Sequence, residues 1–247
     1  LVGTWGIERQ FSRAWKGAII YQFEDKEISN VKPDVKLTEQ DTGRLIIGSI
    51  NPSLVRDTTD NQFDPKLGAI HSITIKDAAN LLGSKVQMIK IIQRNGFFFS
   101  PTPTGTFALS TRIGVAERFG ETQLIPISER FFVGGRSTVR GYAHHTLGVK
   151  GATLINGEPA GGNALLILNE EFRLAVSGAF GMVFFFDHGN VWREFDEISF
   201  KEIKSTTGIG LRYNTPVGPF RVDWGYKLNR EGSEPPHDYY VTLGHAF

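Results

Sequence analysis

Cysteine is missing altogether from this chain of 247 residues. A disulfide scaffold, a thiolate metal site and a cysteine nucleophile are therefore excluded. The composition fits an oxidising compartment that the protein does not exploit. An excess of charge is missing too: 27 Lys and Arg against 26 Asp and Glu leave a net charge of +1. No basic field marks a nucleic-acid binder, and no nucleic-acid partner is expected. Nor does any apolar run approach the roughly 18 residues a membrane helix needs; GMVFFF, at 181–186, is among the longest. The first residues, LVGTWGIERQ, show no basic n-region ahead of an apolar h-region, so no signal peptide is expected in them. Helical membrane proteins are out, but β-barrels are not, because their strands are short and half of each is polar.

What is present is a period of two. In FRVDWGYKLN (220–229), Phe220, Val222, Trp224, Tyr226 and Leu228 share one face, while Arg221, Asp223, Gly225 and Lys227 share the other. A strand that alternates aromatics with charges separates a greasy environment from a wet one. The last segment, YYVTLGHAF, repeats this, with Tyr239, Val241, Leu243 and Phe247 opposite Tyr240, Thr242, Gly244 and Ala246. STTGIGLRYN (205–214) does so again. Further strands are predicted near 162–174, 180–192, 104–118, 86–99, 68–78, 43–56, 14–26 and 2–12, about eleven in all. NTPVGP, TDNQFDPKLG and SPTPTG supply turns between them, and only DAANLLG (77–83) suggests a short helical turn.

A soluble β-sandwich also alternates. Three features favour a transmembrane antiparallel β-barrel, all-β and forming a single domain over 1–247. The strands are long enough for a tilted crossing of the bilayer. Trp5, Trp15, Tyr21, Trp192, Trp224, Tyr226 and Tyr239 are placed for interfacial girdles. Arg221 and Asp223 put full charges at mid-strand on the wet face, which a sandwich core rejects. Bacterial barrels have even strand numbers, so an odd count and a start inside a strand-like segment point to the C-terminal portion of a larger barrel.

Between the strands at 104–118 and 162–174 lies a long loop, at about 120–161, and loops of that length are usually functional. It contains PISERFFVGGRSTVRGYAHHTLG (126–148), with the tetrad Val139, Arg140, Gly141 and Tyr142. This stretch resembles the signature of the BamA/TamA outer-membrane assembly-factor superfamily. GGNALLILNEEF (161–172), FFFDHGNVW (184–192), GIGLRYNTPVGPFRVDWGYKLN (208–229) and LVRDTTDNQFDPKLG (54–68) are similar to further segments of that family, in the family's order. The resemblance thus covers about residue 43 onwards.

The resemblance implies a barrel of sixteen strands, of which about 11–12 are present here, without the family's periplasmic POTRA domains. It implies a loop folded into the lumen, with Arg140 on acidic residues of the inner wall. Asp187 and Glu171 are the lumenal partners by parity, and Phe185 shares the face of Asp187. Arginine suits that role because its planar fork matches carboxylates, Gly141 allows a tight turn, and Tyr142 packs on the wall. The last strand (Tyr239, Val241, Leu243 and Phe247) resembles an outer-membrane targeting signal.

By the same resemblance the protein is a non-enzymatic insertase of the bacterial outer membrane. Its partners would be the bilayer, unfolded β-barrel clients, periplasmic chaperones and accessory assembly lipoproteins. A two-partner-type secretion translocase and a passive channel are the alternatives. No cofactor, metal or catalytic group is expected. His144 and His145, adjacent in an extended chain, should point apart in a solvated loop, and the acidic DTTDN run (57–61) reads as a turn.

Overall fold

The computed structural model describes residues 1–28, 43–215, 218–232 and 234–244. Eleven long strands form one antiparallel sheet. They are β1 (Val2–Gln10), β2 (Trp15–Ile28), β3 (Gly43–Asp57), β4 (Gly68–Ala78), β5 (Met88–Phe99) and β6 (Gly105–Arg118), then β9 (Ala164–Ser177), β10 (Phe180–Trp192), β11 (Lys204–Thr215), β12 (Gly218–Lys227) and β13 (His237–Leu243). They follow one another in chain order across the sheet, and the intervening β7 (Leu154–Ile155) and β8 (Glu158–Pro159) make a small hairpin inside the long loop. Each neighbouring pair is antiparallel, and β1 and β13 are the two edges. The strands at 68–78 and 180–192 fall where their alternation predicts.

Register explains the outer surface. Phe99, Phe107, Phe172, Phe184, Ile209, Trp224 and Tyr239 lie side by side on seven strands, all on one face. A sheet that buried this face in a protein core would hide these side chains, yet Phe99 is 61% and Tyr239 63% exposed. Val241 and Leu243 continue the exposed face on β13, while Thr242 is buried on the other; Phe247 lies outside the described residues. Such a band belongs in lipid. A charge there costs about 2–4 kcal/mol near the bilayer midplane. Phe184→Arg should therefore lower the amount of inserted protein several-fold, whereas Phe184→Leu should not. Equal amounts of the two variants in outer-membrane fractions would contradict this facing.

One end of the sheet carries the connections 11–14, 58–67, 100–104 and 178–179; the other carries 79–87, 193–203, 228–236 and the longest of all, 119–163. Short turns face the periplasm and long loops the exterior in barrels of this type. The predicted girdle fails at Trp192, which is 1% exposed. Its indole Nε1 donates to Glu202 Oε2 at 2.8 Å, so the segment after β10 folds over it. Tyr21 sits mid-strand, its hydroxyl donating to the Leu82 carbonyl at 3.0 Å in the short helical turn Asn80–Leu82, close to where DAANLLG suggested one.

The lumen is not uniformly wet. Ile125, Phe131, Val133, Val139 and Leu147 of the long loop join Leu45, Ile47, Met88, Ala116 and Ile167 of the wall in one apolar cluster. The loop thus supplies the barrel with a core of its own, at about 1.5–3 kcal/mol for each large side chain fully buried.

Candidate functional site: the lumenal arginine of the long loop

The loop tip lies across three successive register rows of the inner wall. One row holds Asn169, Asp187, Thr206 and Lys227; the next holds Glu171, Phe185, Gly208 and Gly225; the third holds Arg173, Val183, Gly210, Asp223 and Tyr240. Period two places all of these side chains inside, which brings carboxylates from three strands to one patch. Gly225 leaves the space the tip occupies, and Gly208 leaves room for the Phe185 ring on which Arg140 lies. A Cβ on Gly225 would stand 2.6 Å from the Gly141 nitrogen and 2.8 Å from the Arg140 carbonyl carbon. A Cβ on Gly208 would stand 2.3 Å from the edge of the Phe185 ring.

Arg140 is 1% exposed. Its Nε donates to Asp187 Oδ2 at 2.7 Å and its Nη2 to Asp187 Oδ1 at 2.8 Å, a two-pronged pair. Nη1 donates to Glu171 Oε1 at 2.7 Å, and Asp223 Oδ2 is 3.9 Å away. The guanidinium lies 3.6 Å over the Phe185 ring, a cation–π contact that gains strength where water is excluded. Even the Arg140 backbone N–H donates to Asp187 Oδ2, at 3.0 Å. Burial by itself would lower the pKa of Arg140, but Asp187 and Glu171 outweigh it and raise it above the ordinary arginine value.

The carboxylates are themselves held. Asn169 Nδ2 donates to Asp187 Oδ1 at 2.8 Å and to the Thr138 carbonyl at 2.6 Å, while Arg173 Nε donates to Glu171 Oε2 at 2.9 Å. Arg212 Nη1 reaches Asp223 Oδ1 at 2.5 Å. Arg221 donates to Thr242 Oγ1 and, at 3.0 Å, to the Arg136 carbonyl of the loop.

Gly141 has φ +100°, a conformation that side chains with a Cβ rarely adopt, and it turns the chain against Gly225. Tyr240 completes the turn: its hydroxyl accepts from the Gly141 N–H at 2.9 Å and donates to the Tyr142 carbonyl at 2.6 Å. Tyr142 is buried, with Lys227 Nζ 4.3 Å over its ring.

The structure thus brings Val139, Arg140, Gly141, Tyr142, Asp187, Glu171 and Phe185 together. Tyr239, Val241 and Leu243 stand apart on the outer face. Tyr240, Asn169, Asp223 and Gly225 were not singled out as partners of the tip. Alternation alone places Tyr240 and Asp223 inward, but not against this loop. The two histidines depart from expectation: His145 adopts φ +63°, and its ring stacks on His144 at 3.7 Å and on Phe132 at 4.9 Å. The positive φ folds the two side chains to the same side. In the DTTDN turn, Asp60 Oδ1 accepts the Lys66 and Leu67 N–H groups at 2.9 and 3.1 Å.

An outward aromatic band, an inward charged face and a long loop held inside by a buried ion pair define an outer-membrane β-barrel of the kind whose lumen is occupied by its own chain. The Omp85 superfamily domain matches residues 3–247, and the chain belongs to that superfamily. Among curated relatives, the outer membrane protein assembly factor BamA of Nitratidesulfovibrio vulgaris is 24% identical over 233 residues, covering 92% of this chain and 29% of the relative. BamA of Neisseria meningitidis is 28% identical over 222 residues, covering 78% of this chain and 28% of the relative. The crystal structure of BamA from Haemophilus ducreyi lacking POTRA domains 1–3 superposes with a TM-score of 0.72 at 14% identity, over 98% of this chain and 52% of that one. The chain therefore spans under a third of these curated relatives and about half of the solved structure. It is an outer-membrane chain, and its described residues form barrel strands and their connections, with no POTRA domain among them.

Proposed function

We propose that this chain is the client-handling part of an outer-membrane insertase, which folds β-barrel proteins into the bilayer without covalent chemistry. The observation that carries the reading is the buried contact of Arg140 with Asp187 and Glu171. A desolvated guanidinium is tolerable only where carboxylates meet it, so the tip has one seated position and a large penalty for leaving it. The long loop is then a latch that fixes the shape of the inner wall while strand edges elsewhere accept client strands. Unpaired edges are costly in lipid, which makes them effective at capturing other strands. Unfolded barrel proteins are the proposed clients, and periplasmic chaperones and accessory lipoproteins the proposed helpers. A long loop seated on the inner wall by apolar and charged contacts argues against a passive channel.

Reconstitution tests this. The intact protein in liposomes should speed the folding of a urea-unfolded outer-membrane barrel protein, read as heat-modifiable gel mobility, by about tenfold or more over empty liposomes. Transport of a soluble partner across the bilayer with no effect on barrel folding would instead support a secretion translocase.

A further inference from the structure

A second charged contact lies at the root of the loop. Pro126 opens a short helical turn, Ile127–Glu129, which sets the Glu129 carboxylate against the inner wall with its side chain 5% exposed. Glu129 Oε1 is 2.9 Å from Lys76 Nζ and 3.3 Å from Lys26 Nζ, and Oε2 is 3.9 Å from Lys90 Nζ. Lys90 also donates to the Glu129 backbone carbonyl at 2.5 Å and lies 4.7 Å over the Phe131 ring. These lysines come from β2, β4 and β5, on the other side of β6 from the strands that meet Arg140.

Among the described residues the wall is poorly balanced without the loop. Lys76 and Lys90 are direct partners in the β4–β5 register, an arrangement of like charges that destabilises a sheet. Glu24, 2.7 Å from Lys26 and 3.4 Å from Lys76, answers only part of that charge. Glu129 brings its buried carboxylate between the mostly buried Lys76 and Lys90 and the partly exposed Lys26, and one carboxylate facing three ammonium groups is hard to replace.

We propose that Glu129 is a second fastening point of the loop, opposite in sign to Arg140. The loop is then a strap tied to two parts of the barrel wall, and Glu129 is a positioning residue for its tip. Its importance for assembly rests on the function proposed above; the fastening itself does not.

Chymotrypsin separates the two ties in the intact membrane-inserted protein, because cutting after Phe131 or Phe132 reports the root and cutting after Tyr142 reports the tip. Glu129→Gln should raise root cleavage by about tenfold, in proportion to the open population, with a smaller rise at the tip. The exchange Glu129→Lys with Lys76→Glu restores the same set of charges and should return insertion and root protection to near wild type, even where Glu129→Lys alone fails to insert. Wild-type root protection in Glu129→Gln, or failure of the exchange to restore protection, would overturn the proposal. Neither result bears on Arg140, whose failure as a latch would appear as an unchanged cut after Tyr142 in Arg140→Ala.

Discussion

Arg140→Ala should release the loop tip while the barrel stays in the membrane. The substitution leaves Asp187, Glu171 and Asp223 facing one another without the cation that reaches all three. Breaking a desolvated pair costs roughly 3–5 kcal/mol, against under about 1 for an exposed one. The outward face is untouched, so heat-modifiable mobility should persist while chymotrypsin gains access after Tyr142. Asp187→Asn should give the same change more mildly, because Glu171 still holds Nη1. The double variant should fall well short of additivity, since both changes break one contact. Full additivity would mean that the two side chains act separately.

Gly225→Val should release the tip almost as fully without altering a charge. The new Cβ would meet the backbone of Gly141 and Arg140 at 2.6 and 2.8 Å, and backbone cannot swing aside as a flexible side chain can. Either the tip leaves the wall or β12 shifts, and β12 is held by hydrogen-bonded neighbours on both sides. Chymotrypsin cleavage after Tyr142 should therefore rise nearly to the level of Arg140→Ala at comparable insertion. A tip as well protected as in the wild type would mean that the Gly225 groove does not seat the loop.

The strands were legible because each carries the same two-residue alternation, and that alternation put Asp187, Glu171, Asp223 and Tyr240 on the inner face. The arginine stood out for its setting between glycines in a long loop, and the family resemblance supplied its acidic partners. What alternation does not encode is which inward residues a distant loop will touch. Tyr240 reaches Gly141 across 99 positions in sequence, and Glu129 reaches Lys76 across 53. Gly225 reads in sequence as a weak point in a strand, and only the backbone lying against it gives it a purpose. Trp192 was misread because parity says which way a side chain points but not whether a neighbouring loop covers it. The histidine pair was misread because one positive φ undoes the alternation of an extended chain.

The central claim is that the buried arginine seats the loop and that the seated loop is required for client folding. The most direct measurement is the rate at which the intact protein carrying Arg140→Ala folds an unfolded outer-membrane barrel protein into liposomes, at wild-type levels of insertion. That rate should fall by about tenfold or more, together with new cleavage after Tyr142. A wild-type folding rate in liposomes where the tip is demonstrably cut free would contradict it.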